Sequence, residues 1–360
     1  MRRIGPFAVE YVPNPGKLKV LGVSLGAILL GLVVMAFIFW GYGVSPVHAY
    51  ATIFRGTFGS RFGLGEIVRR AIPLMLCGVG LVLAFRALFW NIGAEGQLLV
   101  GAIVGTGLAL YSGIHGPWLL LAMFLGGFAA GALWASIPAL LRILLGVNDV
   151  LTTLMLNYVA MYIVQYLIYG PWRGPTMRGF AYTDLFPDNA WLPLIPRTNV
   201  HWPTLLAGVL LAVIFWVLLS RTRFGYEVRV VGQSTEAARY AGISMLRTIV
   251  LVAALSGGAA GLAGVGEVAG IHHRLLEPFQ VSMGYGYTAI IVAWLARGSP
   301  LVAIITALFF GWIFASGDVI KTFLHMPFQV TSVFNGLLLF FLIGSEVLMY
   351  YRIRLRRGEA

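Results

Sequence analysis

Residues 20–40 read VLGVSLGAILLGLVVMAFIFW, a stretch without a single charged side chain. An α-helix rises 1.5 Å per residue, so about 20 apolar residues cross the ~30 Å hydrocarbon core of a bilayer. The stretch is too long for the core of a secretory signal, and no small-residue cleavage site followed by a polar domain comes after it. It therefore predicts an uncleaved first membrane span.

The same pattern recurs along the whole chain of 360 residues. Hydrophobic residues make up 59% and charged residues only 11%, with a mean hydropathy of +0.87, a balance unlike that of a soluble domain. The predicted spans are 20–40, 67–86, 95–112, 117–141, 149–169, 204–220, 247–266, 283–296, 299–317 and 328–350. The sequence therefore predicts an all-α polytopic membrane protein with about ten transmembrane helices.

Positive charge predicts the orientation, because Lys and Arg concentrate in cytoplasmic loops. An N-terminus inside puts most of the 25 Lys and Arg residues inside, so both termini are expected in the cytoplasm. The transmembrane domain is then 20–350, between a tail at 1–19 and a basic tail at 351–360. The outward cluster from Arg55 to Arg70 opposes this bias, and an interfacial helix on the outer face would account for it.

The net charge of +12 forms no continuous basic face with interleaved aromatic residues. Nucleic acid is therefore not an expected partner, whereas contact with anionic membrane lipids is. Cys77 is the single cysteine, so neither a disulfide within the chain nor a cysteine metal site is expected.

Two connections are too long to be simple turns. The outer one, 170–203, contains GPWRGPTMRGF and FPDNAWLPLIP, and its prolines oppose continuous helix. It is interpreted as a cap on the outer mouth or a docking surface for an outside partner. The cytoplasmic one, 220–247, is the most polar stretch, where Ser234 is expected to cap a short amphipathic helix that Gly242 ends. That helix is either part of a solvated loop or the site at which another protein binds.

Polar residues interrupt the apolar pattern in FRALFWNIGAEGQ, residues 85–97. Asn91, Glu95 and Gln97 bracket Gly93 and Gly96, which can break a helix. Broken helices at membrane depth are tolerated where they line a cavity or are covered by protein, and in transporters they often mark the substrate path. The alternative is an ordinary cytoplasmic turn before a capped helix.

A second polar stretch, NDVLTTLMLNY (148–158), follows a helical period. Asn148 and Thr152 share one face, while Asp149, Thr153 and Asn157 share another at i, i+4 and i+8. Such a stripe faces the bundle interior, where it either bonds a neighbouring helix or lines a wet pathway. Thr153 is assigned to helix contacts. The residues assigned to the substrate pathway are Asn91, Glu95, Gln97, Asn148, Thr152 and Asn157.

A third polar stretch, GEVAGIHHRLLEP (266–278), carries two histidines and two carboxylates. His272 and His273 are adjacent, and adjacent side chains on a helix do not face the same way. No metal site is therefore expected, and the stretch is interpreted as a polar loop at the outer face.

Four stretches together resemble the permease subunits of ABC importers, in the branch that includes branched-chain amino acid, ribose and nucleoside systems. They are AFRALFWNIGAEGQLLVGA (84–102), VNDVLTTLMLNYVA (147–160), RVVGQSTEAARYAGIS (229–244) and GYGYTAIIVAWLARGSP (284–300). The similarity is greatest to simple-sugar and nucleoside permeases, and to the longer of the two paralogues that such systems often encode. The chain departs from the pattern before NIGAEGQ, where RALFW stands in place of a more usual Gly-Leu pair.

This resemblance implies a subunit of a larger machine in the cytoplasmic (inner) cell membrane. The implied partners are a second, paralogous permease, two ATPase subunits and an extracytoplasmic substrate-binding protein or lipoprotein. ATP would bind the ATPases, since this chain has no GxxxxGKS/T phosphate loop, and no cofactor is expected in the chain itself. The residues implied to couple to an ATPase are Gly232, Ser234, Glu236, Ala237, Ala238, Arg239, Tyr240 and Gly242.

The expected function is a permease for nucleosides or related sugar-containing solutes, with a monosaccharide or a flavin-like vitamin as alternative substrates. Two other classes stay open. An intramembrane enzyme would need convergent groups, for which Glu267, His272 and His273 are the candidates. A passive channel would need no motor, and the long polar cytoplasmic loop opposes that interpretation.

Overall fold

The computed structural model describes residues 2–4, 7–11, 16–175 and 179–355. Helices dominate this part of the chain, because a segment in hydrocarbon must pair its own backbone N–H and C=O groups. The α-helices are α1 (Lys17–Gly41), α2 (Pro46–Phe58), α3 (Arg61–Arg86), α4 (Ala94–Tyr111), α5 (Trp118–Leu145), α6 (Asp149–Tyr169), α7 (Trp202–Arg221), α8 (Arg223–Gln233), α9 (Thr235–Tyr240), α10 (Met245–Glu267), α11 (Pro278–Ser282), α12 (Tyr285–Leu295), α13 (Pro300–Phe323) and α14 (Phe328–Tyr350).

Each predicted span overlaps one of these helices, but the predicted total of ten spans is not confirmed. Within the described residues, seven helices are long and apolar enough to cross a membrane, or eight if the bent pair α1 and α2 counts as one. The span predicted at 283–296 differs most from the structure. Its helix α12 has 11 residues, or about 17 Å, roughly half of the hydrocarbon core. It is preceded by left-handed backbone at Met283 and Gly284, so a second broken helix lies here.

One compact unit consists of residues 61–312. At its centre α10 packs against α3, α4 and α5, and α3 is buried along most of its length. Glycines permit the close approach of α5 and α10: a methyl group on Gly131 would meet the carbonyl of Gly257, and one on Gly261 would meet that of Gly127. Small residues of this kind let membrane helices pack backbone to backbone.

The other unit consists of residues 1–60 and 313–360. Here α1 runs beside α14, and Lys19 Nζ donates a hydrogen bond to the Met349 carbonyl at 2.9 Å. The α2 helix is bent by 112° from α1 and carries Arg55 in its last turn. The rest of the predicted arginine cluster belongs elsewhere, because Arg69 and Arg70 are buried side chains of α3.

The terminal segments, predicted as tails, contain three short strands that add to the predicted all-α fold. Strands β1 (Arg2–Ile4), β2 (Phe7–Tyr11) and β3 (Tyr351–Leu355) form one antiparallel sheet in the order β1-β2-β3, with Val9 opposite Ile353. Valine, isoleucine and the aromatic residues in these segments are enriched in strands. Parts of the predicted tails, residues 1, 5–6, 12–15 and 356–360, lie outside the described residues.

Candidate functional site

The break between α3 and α4 begins with a defined helix end. The N–H of Phe89 donates to the carbonyl of Ala84 at 3.0 Å, and the N–H of Leu88 donates to that of Phe85 at 3.1 Å. These two bonds form a Schellman motif, in which the residue after the C-cap adopts the left-handed conformation and is usually glycine. Here it is Leu88, with φ of 52°. Leu88 lies within RALFW (86–90), the stretch that was predicted from the sequence to depart from the resemblance.

Every backbone N–H from residue 87 to residue 93 has a hydrogen-bond partner. Ala87, Leu88, Phe89, Asn91 and Ile92 donate to nearby carbonyls, and side chains accept from Trp90, Gly93 and, in addition, Ile92. Trp90 N donates to Asp149 Oδ2 at 2.8 Å, Ile92 N to Thr153 Oγ1 at 3.1 Å, and Gly93 N to Asn91 Oδ1 at 3.1 Å. Buried backbone groups cost free energy when unpaired, so this pairing is what permits an unwound segment inside the bundle.

The carbonyl groups of the break are paired in the same way. Arg142 Nη1 donates to the Leu88 carbonyl at 2.7 Å, and Asn157 Nδ2 donates to the Ile92 carbonyl at 2.9 Å. Arg142 Nη1 also forms an ion pair with Asp149 Oδ2 at 2.7 Å. Arg142 was not among the residues predicted from the sequence, although its position just before the 146–148 turn to α6 places it near Asp149.

The predicted polar stripe on α6 is confirmed, and its partner is the break. Asp149, Thr153 and Asn157 lie on one buried face of α6 and bond successive backbone groups of residues 90–96. Asn157 uses both ends of its amide, since its Oδ1 also accepts from Gly96 N at 2.8 Å. The contacts of Thr153 agree with its assignment to helix packing.

Asn91 and Gln97 form a buried amide pair within the break. Asn91 Nδ2 donates to Gln97 Oε1 at 2.9 Å, and Gln97 Nε2 donates back to Asn91 Oδ1 at 2.8 Å. Asn91 Nδ2 also lies 3.1 Å from Ser256 Oγ on α10. Asn91 is completely buried and Gln97 nearly so. These bonds join the two sides of the break to the central helix.

Glu95, in the first turn of α4, joins the first broken helix to the second. Its Oε2 accepts from Gly286 N at 2.8 Å, and the Ser282 hydroxyl and the N–H groups of Gly284 and Tyr287 also bond its carboxyl group. These donors surround the N-terminus of α12, where unpaired N–H groups favour a carboxylate. A methyl group on Gly286 would collide with the backbone of Glu95, so the two helix starts are in direct contact.

The structure brings four of the six predicted pathway residues together: Asn91, Glu95, Gln97 and Asn157 all belong to the paired region around residues 91–97. The other two lie at the start of α6. Asn148 is exposed and caps α6, accepting from Val150 N at 2.9 Å, and Thr152 is half-buried with its hydroxyl bonded to the Asn148 carbonyl at 3.0 Å. The exposed side chain of Tyr287, whose hydroxyl lies 3.4 Å from Asn157 Nδ2, was not predicted from the sequence.

The predicted cytoplasmic helix is present as α9. Ser234 is its N-cap, with Oγ accepting from Ala237 N at 3.2 Å, Glu236 stands in its first turn, and Gly242 follows its end with φ of 72°. Within α9, the side chain of Ala238 is buried and that of Tyr240 is 94% exposed. The preceding helix α8 contacts the end of α3, because a methyl group on Gly232 would meet the Arg86 carbonyl.

The 170–203 connection covers the end of α10. Leu192 N donates to the Ala269 carbonyl at 3.0 Å and Phe186 N to the His273 carbonyl at 2.8 Å, while the Trp191 ring stacks on His273 at 4.0 Å. Its residues 176–178 lie outside the described residues.

The polar groups of the 266–278 stretch are only loosely arranged. His272 Nε2 lies 3.9 Å from Glu267 Oε2, across the π-helical turn Val268–His272. In the part of the chain that the structure describes, no three His, Cys, Asp or Glu side chains are grouped as a metal site requires.

A bundle of apolar helices that encloses two broken helices defines a multi-pass membrane protein of the transporter class. The comparison with known families then gives the group. The chain belongs to the family described as the branched-chain amino acid transport system permease component, which matches residues 63–343.

Individual relatives are ABC transporter permeases. The glucose ABC transporter permease protein TsgB13 of Haloferax volcanii is 38% identical, over 94% of this chain and 92% of that protein. The guanosine ABC transporter permease protein NupP of Bacillus subtilis is 29% identical, over 96% of this chain and 99% of that protein. A second permease from the same bacterium, the guanosine ABC transporter permease protein NupQ, is 29% identical over 67% of this chain and 77% of its own length.

Replacing Leu88 with glycine is expected to stabilise the protein. A left-handed conformation costs an L-residue roughly 1–2 kcal/mol, which glycine avoids. Part of this gain is lost to the greater freedom of glycine in the unfolded chain, leaving about 0.5–1 kcal/mol. The measurement is the thermal unfolding midpoint of the purified protein in detergent, which should rise.

Leu88→Ala is the matched control, because it removes the same partly exposed side chain but keeps a Cβ. Its unfolding midpoint should stay at or below that of the wild type. Equal midpoints for the glycine and alanine variants would contradict the left-handed assignment.

Proposed function

We propose that this chain is the membrane-spanning subunit of an ATP-driven ABC importer, and that it forms half of the translocation pathway for a solute containing a sugar ring. The observation that carries this proposal is the short polar segment α8–α9, fixed against the end of α3 immediately before the broken helix. A motor that moves this segment would act directly on the break, so two distant sites would share one two-state element.

The proposed coupling surface is α9 and its flanks. Glu236, Arg239 and Tyr240 are exposed, while Ala238 is buried and anchors the helix to the protein. An exposed tyrosine on a small rigid helix is a typical anchor for a protein partner. The other coupling residues shape this helix: Ser234 and Ala237 form its first-turn cap, and Gly232 and Gly242 bound it.

The proposed topology places both termini in the cytoplasm of a cell whose inner membrane holds the protein. Pairing of β2 with β3 supports a common side for the two termini, since strands from both ends of the chain share one sheet. The positive-charge bias then favours the cytoplasmic side. On this topology α9 faces the ATPases, and the 170–203 connection faces the extracytoplasmic binding protein.

The proposed partners are a second, shorter permease, two ATPase subunits that bind ATP, and an extracytoplasmic binding protein or lipoprotein. The two guanosine permeases of Bacillus subtilis support the first of these. This chain aligns with 99% of NupP but with only 77% of NupQ, which supports its proposed role as the counterpart of NupP.

The pathway is proposed to pass the region around Asn91, Glu95, Gln97 and Asn157, with Thr152 and Asn148 towards its cytoplasmic end. The buried amides and carboxyl group of the first four residues are already bonded to protein groups. Their role is therefore proposed to be positioning: they hold the helix starts of α4 and α12 in place. Tyr287 is exposed and its hydroxyl lies 3.4 Å from Asn157 Nδ2, so it is a side chain of this region that a solute could reach.

Nucleosides are the first proposed substrates, supported by the nearly full-length similarity to the guanosine permease. Monosaccharides are the second, and the higher identity of the glucose permease favours them. The shared chemistry is a sugar ring with several hydroxyl groups. A flavin-like vitamin is a further alternative, because its ribityl chain also presents hydroxyl groups.

The function is tested by uptake into proteoliposomes that contain the complete transporter, with ATP supplied to the ATPase side. Labelled guanosine or glucose should accumulate only with hydrolysable ATP and the binding protein, and riboflavin serves as the third arm. Accumulation that ignores ATP would indicate a channel instead. A chain that purifies without any ATPase would contradict the proposal.

The coupling surface is tested with Tyr240→Ala. Truncating a central aromatic anchor costs about 2 kcal/mol, or roughly a thirtyfold weaker affinity for the ATPase subunits, and uptake should fall in parallel. Tyr226→Ala is the matched control, because Tyr226 is an exposed tyrosine of α8 outside α9. Equal ATPase affinity for the two variants would refute α9 as the coupling helix.

A further inference from the structure

A cavity of about 210 Å³ opens where the end of α7, the α8 helix, the end of α3 and the turn before α13 meet. Its lining combines two cationic side chains with small polar groups. The lining residues that matter here are Arg86, Trp216, Ser220, Arg229 and Ser299.

The two guanidinium groups of this cavity lack an anionic partner. Arg86 Nε donates to the Gly298 carbonyl at 3.0 Å, and Arg229 Nη1 donates to the Leu219 carbonyl. Neither forms an ion pair among the described residues, and no Asp or Glu lines the cavity. Each guanidinium has five N–H donors, so most of the donors stay available for a bound anion. Two converging arginines are typical of sites that bind phosphate groups.

Apolar surface continues from the cavity along the spans. Val213, Trp216 and Val217 of α7 are each about 40% exposed, and Val302 of α13 is 39% exposed. A tryptophan beside arginines at the end of a span is typical of the membrane–water interface. A free anion would bind to the two arginines only, whereas a lipid would contact both the arginines and the adjoining apolar surface. The apolar surface therefore favours a lipid.

We propose that this cavity binds an anionic phospholipid, with its phosphate group between Arg86 and Arg229 and its acyl chains along the exposed face of α7. Assignment to the cytoplasmic leaflet rests on the proposed topology, but binding itself does not. Because Arg229 belongs to α8 and Arg86 ends α3, the bound lipid bridges the coupling segment to the helix that precedes the break.

The test is lipid retention by the purified transporter, measured by native mass spectrometry after exchange into equal amounts of phosphatidylglycerol and phosphatidylcholine. The wild type should retain phosphatidylglycerol in preference. Arg229→Gln should reduce that preference about fivefold, since one basic side chain near a membrane surface contributes about that factor. Arg229→Lys should keep most of the preference, because it keeps the charge.

Arg223→Gln is the matched control, since it removes the same charge from the same helix at an exposed position outside the cavity. It should retain phosphatidylglycerol as the wild type does. Equal retention by the Arg229→Gln and Arg223→Gln variants would overturn the proposal, as would a wild type without preference. Displacement of the lipid by excess inorganic phosphate would show that the cavity binds a phosphate group without any contribution from the acyl chains, and it would overturn the lipid assignment. The assay measures no transport, so its failure is distinct from failure of the proposed function.

Discussion

Side chains of α6 hold the unwound backbone between α3 and α4, and the rest of the site depends on that bracing. Asp149, Thr153 and Asn157 supply acceptors and donors to backbone groups that a continuous helix would have paired by itself. In hydrocarbon, each of these groups would cost several kcal/mol if left unpaired. The break is therefore a defined element with its own partners, and α3 and α4 can end and begin at fixed points inside the bundle.

Two further parts of the molecule follow from this fixed break. Because α4 begins at a fixed point, Glu95 can meet the N-terminus of α12 and join the two broken helices. Because α3 ends at a fixed point, Gly232 of α8 can pack against the Arg86 carbonyl. The α8–α9 segment, the break and α12 thus form one continuous set of contacts, through which the proposed motor would act on the break.

The sequence predicted features that depend on local spacing and missed those that depend on distant contacts. The Ser234 cap and the α6 stripe follow from residues a few positions apart, so their patterns were sufficient. The backbone segment that the stripe bonds lies about 60 residues earlier in the chain. Gly286, which donates to the Glu95 carboxyl group, lies 191 residues after it. No periodicity encodes such pairings. The prediction of a full span at 283–296 was wrong for the same reason: an apolar composition does not reveal where a helix ends, and α12 has only 11 residues.

The central claim, that α6 side chains pair the backbone of the break, is tested most directly by amide hydrogen exchange in the complete transporter. The N–H groups of Trp90, Ile92 and Gly96 should be protected like those within α3, although the first two lie outside any helix. Asn157→Ala should speed exchange at Gly96 while leaving Trp90, which is bonded to Asp149, slow. Wild-type exchange at the rate of an open loop, or no change at Gly96 in the variant, would contradict the account.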